Sequence, residues 1–272
     1  MTYTLISIIA VLSYLAAGII LGRRLIKKSV STTQGRKLFP LLLGFFAVGL
    51  HAGLLVHNLF SPLGINFGFF HAFSLLSWLI ALLFLVTALT KPIENLGIAI
   101  LPLAAVAIVL ESTIPSDHFL PSGSRHLEVH ILLSFVAYSM LSIAALQALL
   151  LAIQERHLHN KHPGGFIRAL PPLQTMEALL FQMITLGFIL QTLSLITGFI
   201  YIENIFAQHL VHKTVLSILA WLVFAILLWG RWRYGWRGKT AIRWTLGGFI
   251  ALALSYLGSK WVLEILLGKA WR

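Results

Sequence analysis

Long apolar runs that recur from one end of the chain to the other restrict its fold more than any other feature. Eight runs can be drawn, at roughly 3–22, 38–59, 67–90, 95–111, 127–153, 177–200, 210–230 and 244–265. About 20 apolar residues in a helix cross the hydrocarbon core of a bilayer. Because lipid offers no hydrogen-bond partners, a spanning segment must satisfy its own backbone, as a helix does. We therefore predict an all-α polytopic membrane protein with about eight transmembrane helices.

The composition supports this fold class. Of the 272 residues, 58% are hydrophobic and 10% are charged, whereas a soluble domain has about 25% charged residues. The chain contains no cysteine, which excludes disulfides, thiolate metal sites and thiol exchange. No positively charged segment precedes the first run, so we expect a retained first helix rather than a cleaved signal peptide.

The net charge of +12 is explained by membrane topology. Most Lys and Arg residues fall between apolar runs, in segments that share one side of the membrane if the chain crosses it eight times: 22–37, 91, 156–168 and 231–243. Cytoplasmic loops carry such an excess of basic residues. We therefore predict that both termini lie on the outer side, and we expect no nucleic-acid partner.

We expect one membrane domain, residues 1–272, without linkers or a soluble domain. The longest outer loop, "ESTIPSDHFLPSGSRH", leaves four helices before it and four after it. The fourth run is short and contains Pro102, so this segment is expected to be kinked or partly re-entrant. Glu111 is placed outside the membrane, at the start of the outer loop.

Histidines concentrate at the outer side of this topology. Ionisable side chains within a span are costly and usually face the bundle interior or a water-filled cavity. His51 and His130 are the two that are best placed to be buried. Three others, in the run "HLHNKH", are expected to be solvated on the cytoplasmic side. The outer positions, drawn from the 11 histidines of the chain, are His51, His57, His71, His118, His126, His130, His209 and His212.

One face of the fifth run continues inward from His130. Small and polar side chains at steps of three and four residues are typical of a face that contacts another helix. We therefore predict that His130 points into the bundle, whereas His126 is its solvated neighbour. The face comprises Ser134, Ala137, Tyr138, Leu141, Ala144, Ala145 and Ala148.

A zinc site and a proton or ion relay are two hypotheses for these histidines. The spacings of His126 with His130 and of His209 with His212 occur in zinc sites, which need three or four ligands, so zinc stays open. A proton or ion relay needs carboxylates at membrane depth, and Glu264 alone is placed near it. The relay is therefore the weaker of the two hypotheses.

Haem fits the predicted layout better. Its iron takes axial imidazoles from facing helices, its ring needs an apolar slot, and its propionates need cations at the rim. Arg125 and Lys213 lie at the outer rim and could serve the propionates. No Ser–His–Asp set, carboxylate pair or phosphate-binding glycine loop can be placed at one depth, so we do not expect an enzyme.

Several segments together resemble a known family. They are "EVHILLSFVAYSMLSIAALQALLLAIQ", "TLGFILQTLSLITGF", "HKTVLSILAWLVFAILLWGR" and "GWRGKTAIRWTLGGFIALALSYLGSKWVLE", with "NFGFFHAFSLLSW" upstream. In combination and order they resemble the cytochrome c assembly (CcsA/ResC-type) haem-handling membrane proteins, and most of all the subgroup with YpjD and HemX-like proteins. The resemblance covers 126–265, which would form the assembly-like core after the four helices and outer loop of 1–125.

The resemblance implies a multi-pass haem-handling protein of the bacterial inner membrane, with its outer side in the periplasm. His130 stands where larger members have an external haem ligand, and His51 resembles a deep intramembrane histidine of the subgroup. Lys213 also matches the family pattern, whereas His212 stands where those members have proline. His51, His71 and His212 are the expected alternatives for the second axial ligand.

Two departures limit what the resemblance implies. The loop "YIENIFAQHLVHKT" contains no tryptophan, although assembly proteins have a tryptophan-rich segment there, and the C-terminal part has no second external histidine. We therefore expect haem binding or transfer, with cytochrome c assembly or tetrapyrrole-pathway proteins as partners, rather than attachment of haem to cytochrome c. The alternatives are a regulatory or scaffold membrane protein that does not bind haem, and a transporter of another substrate, for which Pro102 is the one supporting feature.

Overall fold

A computed structural model of the protein describes seven stretches of the chain, and the structural statements below concern these residues. All eight predicted spans correspond to helices that are long and apolar enough to cross a membrane. The prediction of an all-α polytopic membrane protein is thus confirmed. The described stretches are 2–26, 35–61, 64–114, 119–120, 125–160, 169–201 and 211–261.

The first four helices form one compact unit. In it, α1 (Thr2–Ile26) and α3 (Phe69–Thr90) each contact both α2 (Gly35–Leu59) and α4 (Gly97–Thr113), so the helices close into a ring. A short 3₁₀ turn, Glu94–Leu96, precedes α4. Because consecutive helices joined by short connections run antiparallel, the start of α1, the end of α2, the start of α3 and the end of α4 share one end of the unit.

The other four helices form a second compact unit. They are α5 (Arg125–His159), α6 (Leu173–Tyr201), α7 (Val211–Tyr234) and α8 (Gly238–Ala253). A π-helical turn, Leu254–Gly258, and a last turn, Ser259–Trp261, continue α8. Within this unit α5 contacts α6 and α8, and α7 contacts the same two helices. The unit is therefore a second ring of four helices.

Three short strands accompany the first unit and were not predicted. They are β1 (Phe60–Ser61), β2 (Gly64–Asn66) and β3 (Phe119–Leu120), and β2 pairs antiparallel with each of the other two. At the end of β2 the side-chain oxygen of Asn66 accepts a hydrogen bond from the backbone N–H of Gly68. This connection leads directly into α3.

Pro102 lies inside α4 and does not end it, so the segment crosses as a helix rather than as a re-entrant loop. Small residues of α1 face it: a Cβ added to Gly18 would lie 3.3 Å from Pro102 Cδ. At the start of α4, a Cβ on Gly97 would come within 2.7 Å of the Phe84 ring. Glycine thus permits the close approach of α1 and α3 to α4.

Several helices extend beyond the apolar runs that predicted them, among them α5, α6 and α7. The loop expected between the last two spans is reduced to Gly235–Arg237, because α7 ends at Tyr234 and α8 begins at Gly238. Gly235 and Gly238 have φ angles of 67° and 51°, which suit glycine and make this tight connection possible. Apart from Arg237, the basic residues of this region therefore lie on the helices rather than on a loop.

Candidate functional site

His130 is held against α6 by one of its two ring nitrogens. Its Nδ1 atom lies 3.0 Å from the backbone oxygen of Ser194 and 3.2 Å from the hydroxyl of Thr197. A carbonyl oxygen can only accept a hydrogen bond, so Nδ1 must carry the proton and donate it. The neutral ring then keeps its lone pair on Nε2. Among the described residues, no hydrogen-bond partner contacts Nε2.

Close packing of α5 on α6 fixes the position of this ring. A Cβ added to Gly198 would lie 3.0 Å from His130 Cε1, so the glycine leaves just enough room for the imidazole. One turn deeper, the hydroxyl of Ser134 donates to the backbone oxygen of His130 and pairs with the hydroxyl of Ser194 at 2.7 Å. Below them, the side chains from Ala137 to Ala148 on this face are buried.

The bonding of His130 is the arrangement found in metal-ligating histidines. Such histidines nearly always donate the other ring N–H to a carbonyl or carboxylate, which fixes the tautomer and aims the free nitrogen at the metal. Within the described ranges, no group of three or more His, Asp or Glu side chains is arranged to hold a metal. The side chains of His126 and His209, on which the zinc hypothesis also depends, lie outside the described part of the structure.

The other predicted residues of the second unit lie near the same end of its ring. His212 is exposed in the first turn of α7. Lys213 follows it, with its Nζ atom 5.7 Å from the centre of the Tyr256 ring. Its backbone oxygen accepts a hydrogen bond from Ser255 at 2.8 Å. The side chain of Arg125 lies outside the described part of the structure.

His51, by contrast, has hydrogen bonds on both ring nitrogens. In the first unit its Nδ1 atom lies 3.3 Å from the Tyr14 hydroxyl, and its Nε2 atom lies 2.9 Å from the Ser74 hydroxyl. The residue is fully buried between α1, α2 and α3. Ligation of iron by His51 would require one of these bonds to break.

His71 lies in the first unit beside a buried carboxylate. Its Nε2 atom is 4.0 Å from Oε1 of Glu111. Glu111 is in the last turn of α4 and is 7% exposed, so the prediction that it belongs to the outer loop was wrong. Its spacing could have revealed this, because Ala107 and Ile108, four and three residues earlier, are on the buried face of α4.

A family comparison places the chain among known proteins. The model of the family described as "Cytochrome C assembly protein" matches residues 40–267. The chain belongs to the cytochrome c assembly protein family. The match begins in α2 and therefore includes His51, His71, Glu111 and His130, whereas Tyr14 lies before it.

Curated relatives show the same family. The inner membrane protein YpjD of Escherichia coli (strain K12) is 37% identical over 183 residues, which cover 64% of this chain and 67% of that protein. Protein HemX of Brevibacillus brevis is 24% identical over 137 residues, 50% of each chain. The cytochrome c biogenesis protein CcsA of Chlamydomonas reinhardtii is 28% identical over 139 residues, 50% of this chain and 38% of that one.

In this cytochrome c assembly family member, the two predicted buried histidines therefore differ in chemistry. Among the described residues, Nε2 of His130 has no hydrogen-bond partner, whereas both nitrogens of His51 are hydrogen-bonded inside the other unit. The sequence made His130 one axial ligand and His51 one of three alternatives for the second, but it does not show which nitrogen of each ring is occupied.

Proposed function

We propose that the protein is a non-catalytic haem-handling protein of the bacterial inner membrane, and that His130 is an axial ligand through Nε2. One observation carries the proposal: the hydrogen bond from Nδ1 to the Ser194 carbonyl leaves Nε2 as the nitrogen with an available lone pair. The family relation to cytochrome c biogenesis proteins and the name of the YpjD relative support the ligand and the membrane.

The residues of the second unit fit haem as a ligand. Bound haem would supply an iron atom that accepts the imidazole nitrogen. The residues of this chain would orient the imidazole and balance the charge of the propionates. Thr197 and the Ser194 carbonyl hold the ring and its tautomer. His212 belongs to the same unit and is the proposed second ligand. Lys213 and Arg125 are the proposed partners of the propionates.

His51 and His71 are left out of the proposed ligand set. His51 contributes both nitrogens to side-chain hydrogen bonds, and His71 lies beside Glu111. The proposed topology has both termini and the His130 end in the periplasm, in agreement with the basic segments between the runs. In this arrangement haem would be bound and passed on at the periplasmic side, to cytochrome c assembly or tetrapyrrole-pathway proteins.

The test is an absorption spectrum of the full chain, purified in mild detergent from haem-replete cells, oxidised and then reduced. We expect a Soret band with sharp reduced bands, and we expect His130→Ala to remove or shift it while the protein still elutes as a folded species. His159→Ala is the matched control, because His159 is an exposed histidine at the other end of the same helix. It should leave the spectrum unchanged.

A clean spectrum that does not change when haem is added would overturn the ligand assignment. The better hypothesis would then be a regulatory or scaffold membrane protein of the HemX type that does not bind haem. The 24% identity to HemX and the tryptophan-free connection between α6 and α7 favour this second candidate.

A further inference from the structure

A cleft opens at one end of the first unit, whereas the proposed haem ligand belongs to the second unit. Its volume is about 590 Å³, which lies within the range of small-molecule sites. The start of α1, the end of α2, the start of α3 and the end of α4 all contribute to it. The cleft therefore lies within a single four-helix ring.

The cleft has apolar walls and a polar floor. Apolar side chains of α1 and α4 form much of the walls, among them Ile8, Val11, Leu12, Ile108 and Val109. Asn58, His71 and Glu111 supply polar groups. Tyr3 and His57 also line it, with their rings stacked at a centroid distance of 3.7 Å. Such a lining suits an amphiphile with one polar group.

Among the residues that the structure describes, Glu111 is the one carboxylate that lines this cleft, and its side chain is 2% exposed. Its Oε1 atom accepts a hydrogen bond of 3.1 Å from the Asn58 amide, and the Ser74 hydroxyl also donates to the carboxylate. His71 lies 4.0 Å away. In the part of the chain that the structure describes, no Lys or Arg lies within 4 Å of this carboxylate.

A carboxylate in this position needs a positive charge more than it needs another neutral donor. Ionised groups within a membrane are costly unless they are paired, because the apolar surroundings do not replace the lost hydration. The amide and the hydroxyl stabilise the anion by hydrogen bonds but carry no net charge, and the His71 imidazole carries one only when it is protonated. A cationic group that enters from the cleft would supply the missing charge.

A chain of hydrogen bonds behind Glu111 holds its carboxylate in place. Since the Ser74 hydroxyl donates to Glu111, its oxygen accepts from Nε2–H of His51. Nδ1 of His51 is then the acceptor for the Tyr14 hydroxyl. Every donor in the chain thus points toward the carboxylate. Residues of α1, α2 and α3 therefore orient the Glu111 carboxylate on α4. Such pre-organisation is what a binding site requires.

We propose that this cleft binds an amphiphile with a single ammonium group, and that Glu111 is its counter-ion. The ammonium group donates hydrogen bonds to the carboxylate, and the apolar tail lies along α1 and α4 against Val11 and Val109. Tyr14, His51 and Ser74 are positioning residues for Glu111. The site is independent of haem, so its failure and the failure of the haem proposal are separate results.

The probe is n-heptylammonium chloride, added to the full chain in a neutral detergent at constant ionic strength. A ligand that binds the folded protein and not the unfolded chain raises the midpoint of thermal unfolding, and the rise grows with the logarithm of the ligand concentration once the site is filled. We expect a rise of a few degrees with heptylammonium, and no comparable rise with heptanol or sodium heptyl sulfonate at the same concentrations. An equal rise with the alcohol or the sulfonate would overturn the proposal, because it would show non-specific apolar binding.

Two variants locate the site. Glu111→Gln keeps the shape and removes the charge, so it should abolish the rise caused by heptylammonium. Val109→Trp keeps Glu111 and fills the cleft from a position that is 45% exposed, so it should fold and bind at least tenfold more weakly. Glu128→Gln, an exposed carboxylate of α5, is the matched control and should respond as the unaltered chain does. An unchanged rise in both cleft variants contradicts the assignment.

The same ammonium chemistry could come from a membrane lipid or from a free amine. After delipidation, retained lipid is extracted and phosphatidylethanolamine is compared with phosphatidylglycerol by mass spectrometry. Preferential retention of phosphatidylethanolamine, lost in Glu111→Gln, assigns the site to a lipid headgroup. A heptylammonium response without that preference assigns it to a free amine. The absence of both a Glu111-dependent response and a Glu111-dependent lipid overturns the proposal.

Discussion

Nδ1 of His130 lies 3.0 Å from the backbone oxygen of Ser194, across the contact between α5 and α6. The bond defines which nitrogen holds the proton and leaves Nε2 for a ligand. His51 shows the opposite arrangement, with side-chain hydroxyls on both nitrogens. Two histidines that the sequence placed in one group therefore have separate proposed roles, one as a haem ligand and the other in positioning a carboxylate.

The contact between the Thr197 hydroxyl and His130 predicts that loss of this hydroxyl weakens haem binding without abolishing it. Thr197→Val removes the hydroxyl that lies 3.2 Å from Nδ1, whereas the Ser194 carbonyl remains. One lost hydrogen bond corresponds to about 1 kcal/mol, so haem affinity should fall roughly fivefold. A haem titration followed at the Soret band measures it. Complete loss of the band in this variant would mean that Thr197 does more than support the ring.

Gly198 predicts a steric effect on the same ring. In Gly198→Ala the new methyl group would lie 3.0 Å from His130 Cε1 and displace the imidazole, so the Soret band should weaken or shift. Gly247→Ala is the matched control: nothing lies within 4 Å of its added Cβ. Since alanine favours helix over glycine by about 1 kcal/mol, the control should be slightly more stable, with an unchanged spectrum. Equal spectra for the two variants would contradict the close contact.

The eight spans could be predicted from sequence because lipid imposes a strong and simple condition on composition. The helix ends could not be predicted as well. Hydropathy detects where the apolar run stops, but α5 continues to His159 and α7 to Tyr234, past the last apolar residues. The π-helical turn at Leu254–Gly258 has no counterpart in the hydropathy pattern, since it alters the hydrogen bonding and not the composition.

The sites were predictable only in part, for a related reason. The face of α5 below His130 could be read from the spacing of small residues. The burial of Glu111 was missed because a charged residue at the end of an apolar run was taken to belong to the outer loop. Its hydrogen-bond donors, Asn58 and Ser74, come from α2 and α3. Contacts between distant segments of this kind leave no trace in local hydropathy.

Because His51 is proposed to position a carboxylate and not to bind haem, its substitution should change stability but not the haem spectrum. Substitution by alanine leaves the hydroxyls of Tyr14 and Ser74 without this partner in a dry core and creates a cavity, so stability should fall by about 2–4 kcal/mol. Tyr14→Phe, which removes a single bond of 3.3 Å, should cost about 1 kcal/mol. Thermal unfolding measures both changes. The Soret band per folded molecule should stay the same; its loss from folded His51→Ala would instead make His51 a ligand.

The last prediction concerns the opposite end of the second unit, where two arginines contact one buried carboxylate. Arg231 Nη1 lies 3.2 Å from Glu177 Oε1, donates to the Trp236 carbonyl at 3.1 Å and is 30% exposed in its side chain. Arg237 Nε lies 3.4 Å from the same oxygen, but its side chain is 61% exposed. Water and salt screen an exposed pair strongly, whereas a buried pair retains more of its attraction.

Arg231→Gln should therefore lower the free energy of unfolding by about 2 kcal/mol, because it leaves Glu177 with the weaker, exposed partner. Arg237→Gln should cost less than about 1 kcal/mol. Double-mutant cycles with Glu177→Gln, measured by denaturant unfolding in detergent, isolate each pair. We expect clear coupling for Arg231 and coupling near zero for Arg237, with the Arg237 term the more sensitive to salt. Equal coupling energies would show that burial does not distinguish the two arginines.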